Sequence, residues 1–124
     1  MANEITLRWN ITADKGNLYR RKAPDSQSIT LTASSPAVAA GVASIGFAAH
    51  EAIPLGDVAA VGLAWFTNLD ATNYVELGVQ VTATFYPFVK LLPGESYCFR
   101  LGSSAPYAQA NTAAVKLEYE ILDN

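Results

Sequence analysis

The chain has 124 residues, of which 51% are hydrophobic and only 15% are charged, and eight Lys and Arg against eleven Asp and Glu give a net charge of −3. This composition excludes a chain that is disordered throughout, because ample apolar surface is available to offset the entropy of ordering. It also argues against a nucleic-acid-binding protein, which normally carries a basic excess. The length predicts a single domain over residues 1–124, and the low charge indicates that another protein covers part of its surface.

The first quarter of the chain begins with a predicted strand and continues into a polar segment. Residues 4–12 alternate between apolar and polar side chains, which is typical of a half-buried strand. We predict a long basic loop at residues 13–27, because turn-forming residues and three consecutive cations interrupt the pattern there. The alternation resumes over residues 28–34 and predicts a second strand.

The stretch after Pro36 is rich in Ala, Val and Gly and admits two interpretations. Six alanines in residues 37–49 favour a short helix. However, Gly41 and Gly46 interrupt the segment, and no apolar stripe with a helical period is present. We therefore predict a strand over about residues 42–52, with the short helix as its rival.

The second half of the chain predicts several further strands that are separated by turns. Pro93-Gly94 indicates a tight turn, because Pro fixes φ and Gly accepts a positive φ. Pro87 lies inside a predicted strand and indicates a sheet edge or a bulge. The predicted strands cover residues 58–69, 74–82, 85–92, 97–101 and 114–122. The last of them alternates, and its predicted core-facing residues are Val115, Leu117, Tyr119 and Ile121. About eight short strands without an amphipathic helix predict an all-β fold, a single antiparallel β-sandwich or jelly roll.

Residues with metal-binding or nucleophilic chemistry are scarce. The single cysteine, Cys98, excludes an intrachain disulfide, and the single histidine, His50, excludes the usual zinc-binding spacings. A thiol hydrolase would need these two side chains within hydrogen-bonding distance of each other. We expect a non-enzymatic protein without catalytic residues, metal site or cofactor. The first residues show no signal peptide, so we expect synthesis in the cytoplasm.

Positive charge is concentrated in the predicted loop. Residues 15–22 contain four cations and no acid, whereas the rest of the chain contains four cations and eleven acids. The segment is a solvated loop or an arm that docks on an acidic neighbour through the planar donor groups of its arginines. A third alternative, an arm that binds nucleic acid, is disfavoured because the rest of the chain is acidic. Two tyrosines in predicted loops are further candidates for contact with a partner. The candidate contact residues are Lys15, Tyr19, Arg20, Arg21, Lys22 and Tyr107.

Motifs in the second half resemble those of small structural proteins of tailed phages. The resemblance covers residues 57–122 and is carried by Trp65-Phe-Thr-Asn-Leu-Asp70, Tyr74-Val-Glu76 and Lys90-Leu-Leu-Pro-Gly-Glu95. It implies a virion protein, most simply a capsid cement (decoration) protein on the exterior of the head, with the major capsid protein or other virion proteins as partners. It also implies a homo-oligomer, with a trimer favoured, and neither a membrane nor a nucleic-acid partner.

The same sequence is compatible with a second function. A tail or fibre component could use a β-sandwich to recognise a host glycan or receptor, with exposed aromatic side chains such as Tyr19 or Tyr107 lining a groove. The stretch from Ser26 to Ala49 contains no charged residue. Such a stretch allows close contact with a protein surface, so it favours the cement hypothesis.

Overall fold

The computed structural model describes residues 4–22, 26–102 and 104–124 of the chain. This part of the chain forms twelve strands in antiparallel sheets and contains no helix. The chain divides into two compact units, residues 1–32 and residues 33–124. The prediction of a single domain stays a prediction.

The smaller unit contains four short strands. These are β1 (Ile5–Leu7), β2 (Ile11–Lys15), β3 (Leu18–Lys22) and β4 (Gln27–Ile29). β1 pairs antiparallel with β4, and β2 pairs antiparallel with β3 as a hairpin with a two-residue turn. Ile29 is the one buried side chain among the described residues of this unit, so the unit has almost no core of its own.

The larger unit forms two four-stranded antiparallel sheets that pack against each other. Its strands are β5 (Val38–Ile45), β6 (Glu51–Ala52), β7 (Val61–Asn68), β8 (Val75–Val81), β9 (Thr84–Leu91), β10 (Ser96–Arg100), β11 (Tyr107–Ala110) and β12 (Val115–Asp123). The strand order is β10-β7-β12-β5 in the first sheet and β6-β11-β8-β9 in the second sheet. This arrangement confirms the predicted all-β, antiparallel, sandwich-like fold.

The core of the larger unit lies between its two sheets. β12 pairs with both β5 and β7, and its alternate residues Val115, Leu117 and Ile121 are completely buried. The second sheet contributes Val75 and Leu91, which are also completely buried. The period-two pattern of the last strand therefore predicted its core-facing side chains correctly.

The predicted loop at residues 13–27 is wrong for most of its length, because β2 and β3 form a hairpin there. Gly16 has a φ of 60°, and Asn17 follows it without a positive φ. A type II′ turn needs a positive φ at its first central residue, and Gly followed by Asn is a usual sequence for it. Pro24 and Asp25 lie outside the described residues.

Three predicted strands also need correction. The strand predicted over residues 4–12 is interrupted between β1 and β2, and the strand predicted over 28–34 ends with β4 at Ile29. The strand predicted over 42–52 is β5, which begins and ends earlier, and no helix forms in its place. The chain turns after β5, where the Gly46 N–H donates to Glu51 Oε2 (3.0 Å).

The two proline signals of the second half are confirmed. Gly94 has a φ of 79°, and the Glu95 N–H donates to the Leu92 carbonyl oxygen (3.0 Å), so Pro93-Gly94 forms a tight turn. Pro87 lies in β9, which is the outer strand of the second sheet and has a shift of register where it pairs with β8. Pro is tolerated there because an outer strand needs fewer backbone donors.

Candidate functional site

The β2–β3 hairpin carries all the predicted contact residues except Tyr107. Every residue of β3 is exposed, and the exposed fraction of Tyr19 is 60%. In the hairpin register, Lys15 lies opposite Leu18, and Ile11 lies opposite Lys22. Cationic and apolar side chains therefore neighbour each other on a surface that the described residues leave uncovered.

The cations of the hairpin have no anionic partner within the described part of the chain. No ion pair joins Lys15, Arg20, Arg21 or Lys22 to another described residue. The hydrogen bond found for these side chains runs from Arg20 Nη1 to the Tyr19 carbonyl oxygen (3.2 Å). Their positive charge is therefore available to an acidic group on another molecule.

The two units carry opposite net charge. Residues 1–32 contain five Lys and Arg and three Asp and Glu, for a net charge of +2. Residues 33–124 contain three Lys and Arg and eight Asp and Glu, for a net charge of −5. A basic hairpin in an acidic chain favours an acidic partner, because complementary charges guide association and exclude wrong partners.

Tyr107 belongs to a different unit from the other predicted contact residues. It lies in β11 of the larger unit, and Tyr19 lies in β3 of the smaller unit, so the prediction that both tyrosines are in loops is wrong. β11 was missed because it has only four residues, and two of them are alanines. In the second sheet the side chains of Ala108 and Ala110 face the core. Because side chains alternate along a strand, the Tyr107 side chain points away from the core.

The Tyr107 ring belongs to a small aromatic cluster on the outer face of the second sheet. Its centroid is 5.7 Å from the His50 ring, and the His50 ring is stacked on Phe85 at 5.2 Å with an interplanar angle of 9°. These rings cover parts of each other's faces, whereas a sugar-binding platform needs an open aromatic face. The cluster therefore gives the glycan-binding hypothesis no specific support.

Cys98 and His50 do not form the pair that a thiol hydrolase needs. Cys98 lies on β10 of the first sheet, opposite Trp65, whereas His50 contacts rings of the second sheet. Burial raises the pKa of the Cys98 thiol, which disfavours the reactive thiolate. Among the described residues, no three His, Cys, Asp or Glu side chains are grouped to hold a metal ion. The described part of the chain also has no helix of the length and apolarity that a membrane span requires.

A cavity of about 470 Å³ lies between the sheets of the larger unit. Its lining is largely apolar and includes Phe66, Leu77 and Phe99. Arg100 is the one charged residue among the described residues of the lining, and its Nη1 donates to Asn124 Oδ1 (2.6 Å). Small-molecule sites usually combine an apolar wall with several converging polar groups, whereas Arg100 and Ser104 are the two polar side chains among the described residues of this lining.

The motifs that resemble phage proteins meet at one corner of the larger unit, around Asn68. This side chain is completely buried, and its Nδ2 donates to the carbonyl oxygens of Asn73 (2.9 Å) and Leu91 (3.0 Å). Its Oδ1 accepts from the Asp70 N–H (2.9 Å). Asn68 therefore links the loop after β7 to the end of β9, a role that no local sequence pattern indicates.

Two acidic side chains complete the Asn68 corner. Asp70 Oδ1 accepts from the N–H groups of Asn73 (2.6 Å) and Thr72 (2.7 Å), and these bonds lower the pKa of the Asp70 carboxyl. Glu95 Oε2 accepts from the Leu92 N–H (2.7 Å) across the tight turn. The motif side chains thus bind the backbone of their own unit and specify its loops.

No family model, no curated protein and no solved structure matches the chain. The phage resemblance therefore rests on the motifs alone, and a function inferred from it is a proposal. The exposed basic hairpin is the feature of the structure that is best suited to contact an acidic partner.

Proposed function

We propose that this protein is a non-enzymatic structural component of a tailed-phage virion and acts as a capsid cement protein. The observation that carries the proposal is the exposed basic hairpin β2–β3. The motif resemblance supplies the virion context, and the hairpin supplies a surface that is suited to docking. The partner is an acidic surface of the major capsid protein on the exterior of the head.

The hairpin has little stability of its own, which supports a docking role. Two-stranded sheets are at best marginally stable in water. The β2–β3 sheet has three large apolar side chains that are each about half exposed: Ile11 at 55%, Leu18 at 49% and Tyr19 at 60%. Burying these side chains against a partner supplies favourable free energy, while the cations determine which partner and which orientation are accepted.

The two arginines point to opposite faces of the hairpin. Arg20 pairs with Ala13 and Arg21 with Thr12, and neighbouring residues of a strand direct their side chains to opposite sides. Each face therefore carries at least one planar guanidinium that can bind a carboxylate through two hydrogen bonds. The face of Arg20 also carries Lys15 and Lys22, whereas the face of Arg21 also carries Asp14 and is neutral overall. The positive charge is therefore concentrated on one face, which is the face suited to dock on an acidic surface of a capsid subunit.

Binding of the full chain to purified undecorated capsids, measured by co-sedimentation, tests the proposal. We expect the wild-type protein to sediment with capsids. When it is mixed with purified tails instead, we expect it to stay unbound in the supernatant. The variant R20S/R21S/K22S should lose most of this binding, because it removes three of the four hairpin cations. Wild-type binding should weaken as ionic strength rises, because salt screens exposed charges.

The matched control removes the same charge from elsewhere in the chain. Arg8, Lys90 and Lys116 lie outside the hairpin, and the variant R8S/K90S/K116S should bind capsids as the wild type does. A wild type that binds tails instead of capsids, or neither, would show that the cement function is wrong. Normal capsid binding by R20S/R21S/K22S would show that the hairpin is not the contact surface.

A further inference from the structure

β5 is an outer strand that lacks the usual protection against pairing. It is the last strand of the first sheet, and β12 is the strand with which it pairs. Its eight residues contain neither a charged residue nor a proline. Val38 and Val42 point away from the core and are 51% and 55% exposed.

The backbone of β5 has a regular row of free hydrogen-bonding groups. The Asp123 N–H donates to the Ala37 carbonyl oxygen (2.9 Å), one step beyond the pair of Leu122 with Val38. Hydrogen-bonded pairs alternate in an antiparallel ladder, so the odd-numbered residues of β5 bind β12. The even-numbered residues direct their N–H and C=O groups to the open side, and no described residue binds them there. These residues are Val38, Ala40, Val42 and Ser44.

The other outer strands of the two sheets carry features that discourage pairing. β10 ends in Arg100, β9 contains Pro87 and Lys90, and β6 has only two residues. Charged side chains, prolines, bulges and short length are the usual means by which proteins protect sheet edges. β5 has none of them, so its edge is suited to accept another strand.

We propose that β5 pairs antiparallel with β5 of a second copy of this chain, across a two-fold axis at Gly41. In this register Val38 lies opposite Ser44 of the second copy, and Ala40 lies opposite Val42. All four residues with free backbone groups then form hydrogen-bonded pairs on both copies, and the two first sheets become one eight-stranded sheet.

A second copy suits this edge better than a different strand does. The strand has no charged side chain that could select an oppositely charged partner, and two identical uncharged strands meet without like-charge repulsion. The two-fold register uses the same residues on both sides, which makes the contact self-complementary and closes it at a dimer. The pairing does not rest on the cement function, and a three-fold ring cannot be built from it alone.

Oligomeric state in solution tests the pairing on the full chain. We expect light scattering after size exclusion to show a concentration-dependent dimer for the wild type. The variant V42K should raise the dimer dissociation constant by about tenfold or more, because it places a charge at each of the two symmetric positions. The control V81K makes the same change at a residue that is 56% exposed in the second sheet, and it should leave the dimer unchanged.

Disulfide trapping tests the register and does not depend on how V42K folds. Opposed residues of a non-hydrogen-bonded antiparallel pair have Cα atoms about 4.5 Å apart, within the range of a disulfide. A Cβ at Gly41 would meet no atom closer than Tyr119 Oη at 3.4 Å. In a C98A background, G41C should form a covalent dimer under mild oxidation, and A113C should not. A monomeric wild type, a dimer that V42K leaves intact, or the absence of the G41C crosslink would overturn the proposal.

Discussion

The two units of the chain differ most in what holds their strands in place. Fifteen buried residues form one core in residues 33–124, whereas Ile29 is the one buried side chain in the described part of residues 1–32. The larger unit can therefore be stable through its own packing, because burial of apolar surface is the main favourable term in folding. The smaller unit has little such support, which is consistent with the proposed docking of its hairpin on a partner.

The polar side chains of the two regions differ in the same way. At the Asn68 corner, the side chains of Asn68, Asp70 and Glu95 each bind backbone groups. In the hairpin, the four cations make no ion pair with another described residue. Substitutions at the corner should therefore change the free energy of unfolding, and substitutions in the hairpin should change binding.

The largest effect on stability should come from Asn68→Ala. The change removes the donor to the Asn73 and Leu91 carbonyl oxygens and the acceptor for the Asp70 N–H. A buried polar group left without a partner costs about 1–3 kcal/mol, so we expect the free energy of unfolding to fall by about 3 kcal/mol or more. Urea denaturation followed by tryptophan fluorescence measures this loss.

Asn17→Ala in the hairpin turn is the matched control for Asn68→Ala. Asn17 is exposed, and no described residue forms a hydrogen bond with its side chain. The urea midpoint should change by no more than the equivalent of about 0.5 kcal/mol. Similar losses for the two variants would show that the corner contributes no more to stability than the hairpin does.

Gly78→Ala should be the next most damaging change. β8 shifts register at Gly78, where a Cβ would overlap the Tyr86 carbonyl oxygen and lie 2.6 Å from Pro87 Cα. The backbone of β9 would have to move, and overpacking of this kind costs about 1–3 kcal/mol. Gly102→Ala is the control, because a Cβ there meets no atom within 4 Å. Equal thermal midpoints for the two variants would contradict this account of the register shift at Gly78.

The sequence predicted the fold best where local signals and packing agree. The alternation of residues 114–122 predicted β12 and its buried side chains, and Pro93-Gly94 predicted the turn between β9 and β10. The hairpin was predicted as a loop because turn-forming residues and three consecutive cations interrupt the apolar pattern there, although Gly16-Asn17 is a hairpin signal. β5 ends at Ile45, next to a hydrogen bond between Gly46 and Glu51 that no local pattern reveals.

The candidate site was predictable in composition but not in geometry. The cluster of cations at residues 15–22 could be read directly from the sequence. That Arg20 and Arg21 face opposite sides of a hairpin follows only once a strand is recognised there. The role of Asn68 and the open edge of β5 depend on which strands become neighbours, and strand order is not a local property of the sequence.

Relief of backbone strain at the β8–β9 turn should raise stability modestly. Thr82 and Ala83 have φ values of 48° and 65°, which side chains other than glycine rarely adopt. Asn-Gly is the preferred pair where both central residues have positive φ. We expect T82N/A83G to raise the free energy of unfolding by about 1 kcal/mol, since left-handed φ costs about 1–2 kcal/mol per residue. Ala113 lacks a positive φ, so the control A113G should lower the free energy of unfolding. A lower free energy of unfolding for T82N/A83G would contradict the strain at this turn.

Acid should weaken the Asn68 corner through Asp70. Hydrogen bonds from the Asn73 and Thr72 N–H groups hold the pKa of this carboxyl below its ordinary value in the folded state. The stabilisation is therefore present above the pKa of the unfolded chain, about 3.9, and is lost as pH falls below it. Asp70→Asn should have a smaller drop in urea midpoint between pH 7 and pH 3 than the wild type. Asp57→Asn, at an exposed residue whose side chain binds no described residue, should keep the wild-type drop.

The smallest effect on stability should come from R20S/R21S/K22S, the variant that is expected to lose capsid binding. The three side chains are exposed and make no ion pair with a described residue. Surface substitutions of this kind change the free energy of unfolding by no more than about 0.5 kcal/mol each. We therefore expect the thermal midpoint to stay close to that of the wild type. A large drop would mean that the cations brace the fold, and the contrast between a self-supporting larger unit and a partner-dependent hairpin would then be wrong. Loss of binding with an unchanged midpoint in the same preparation would assign the charge of the hairpin to recognition, because only a contact with another molecule is then left to explain it.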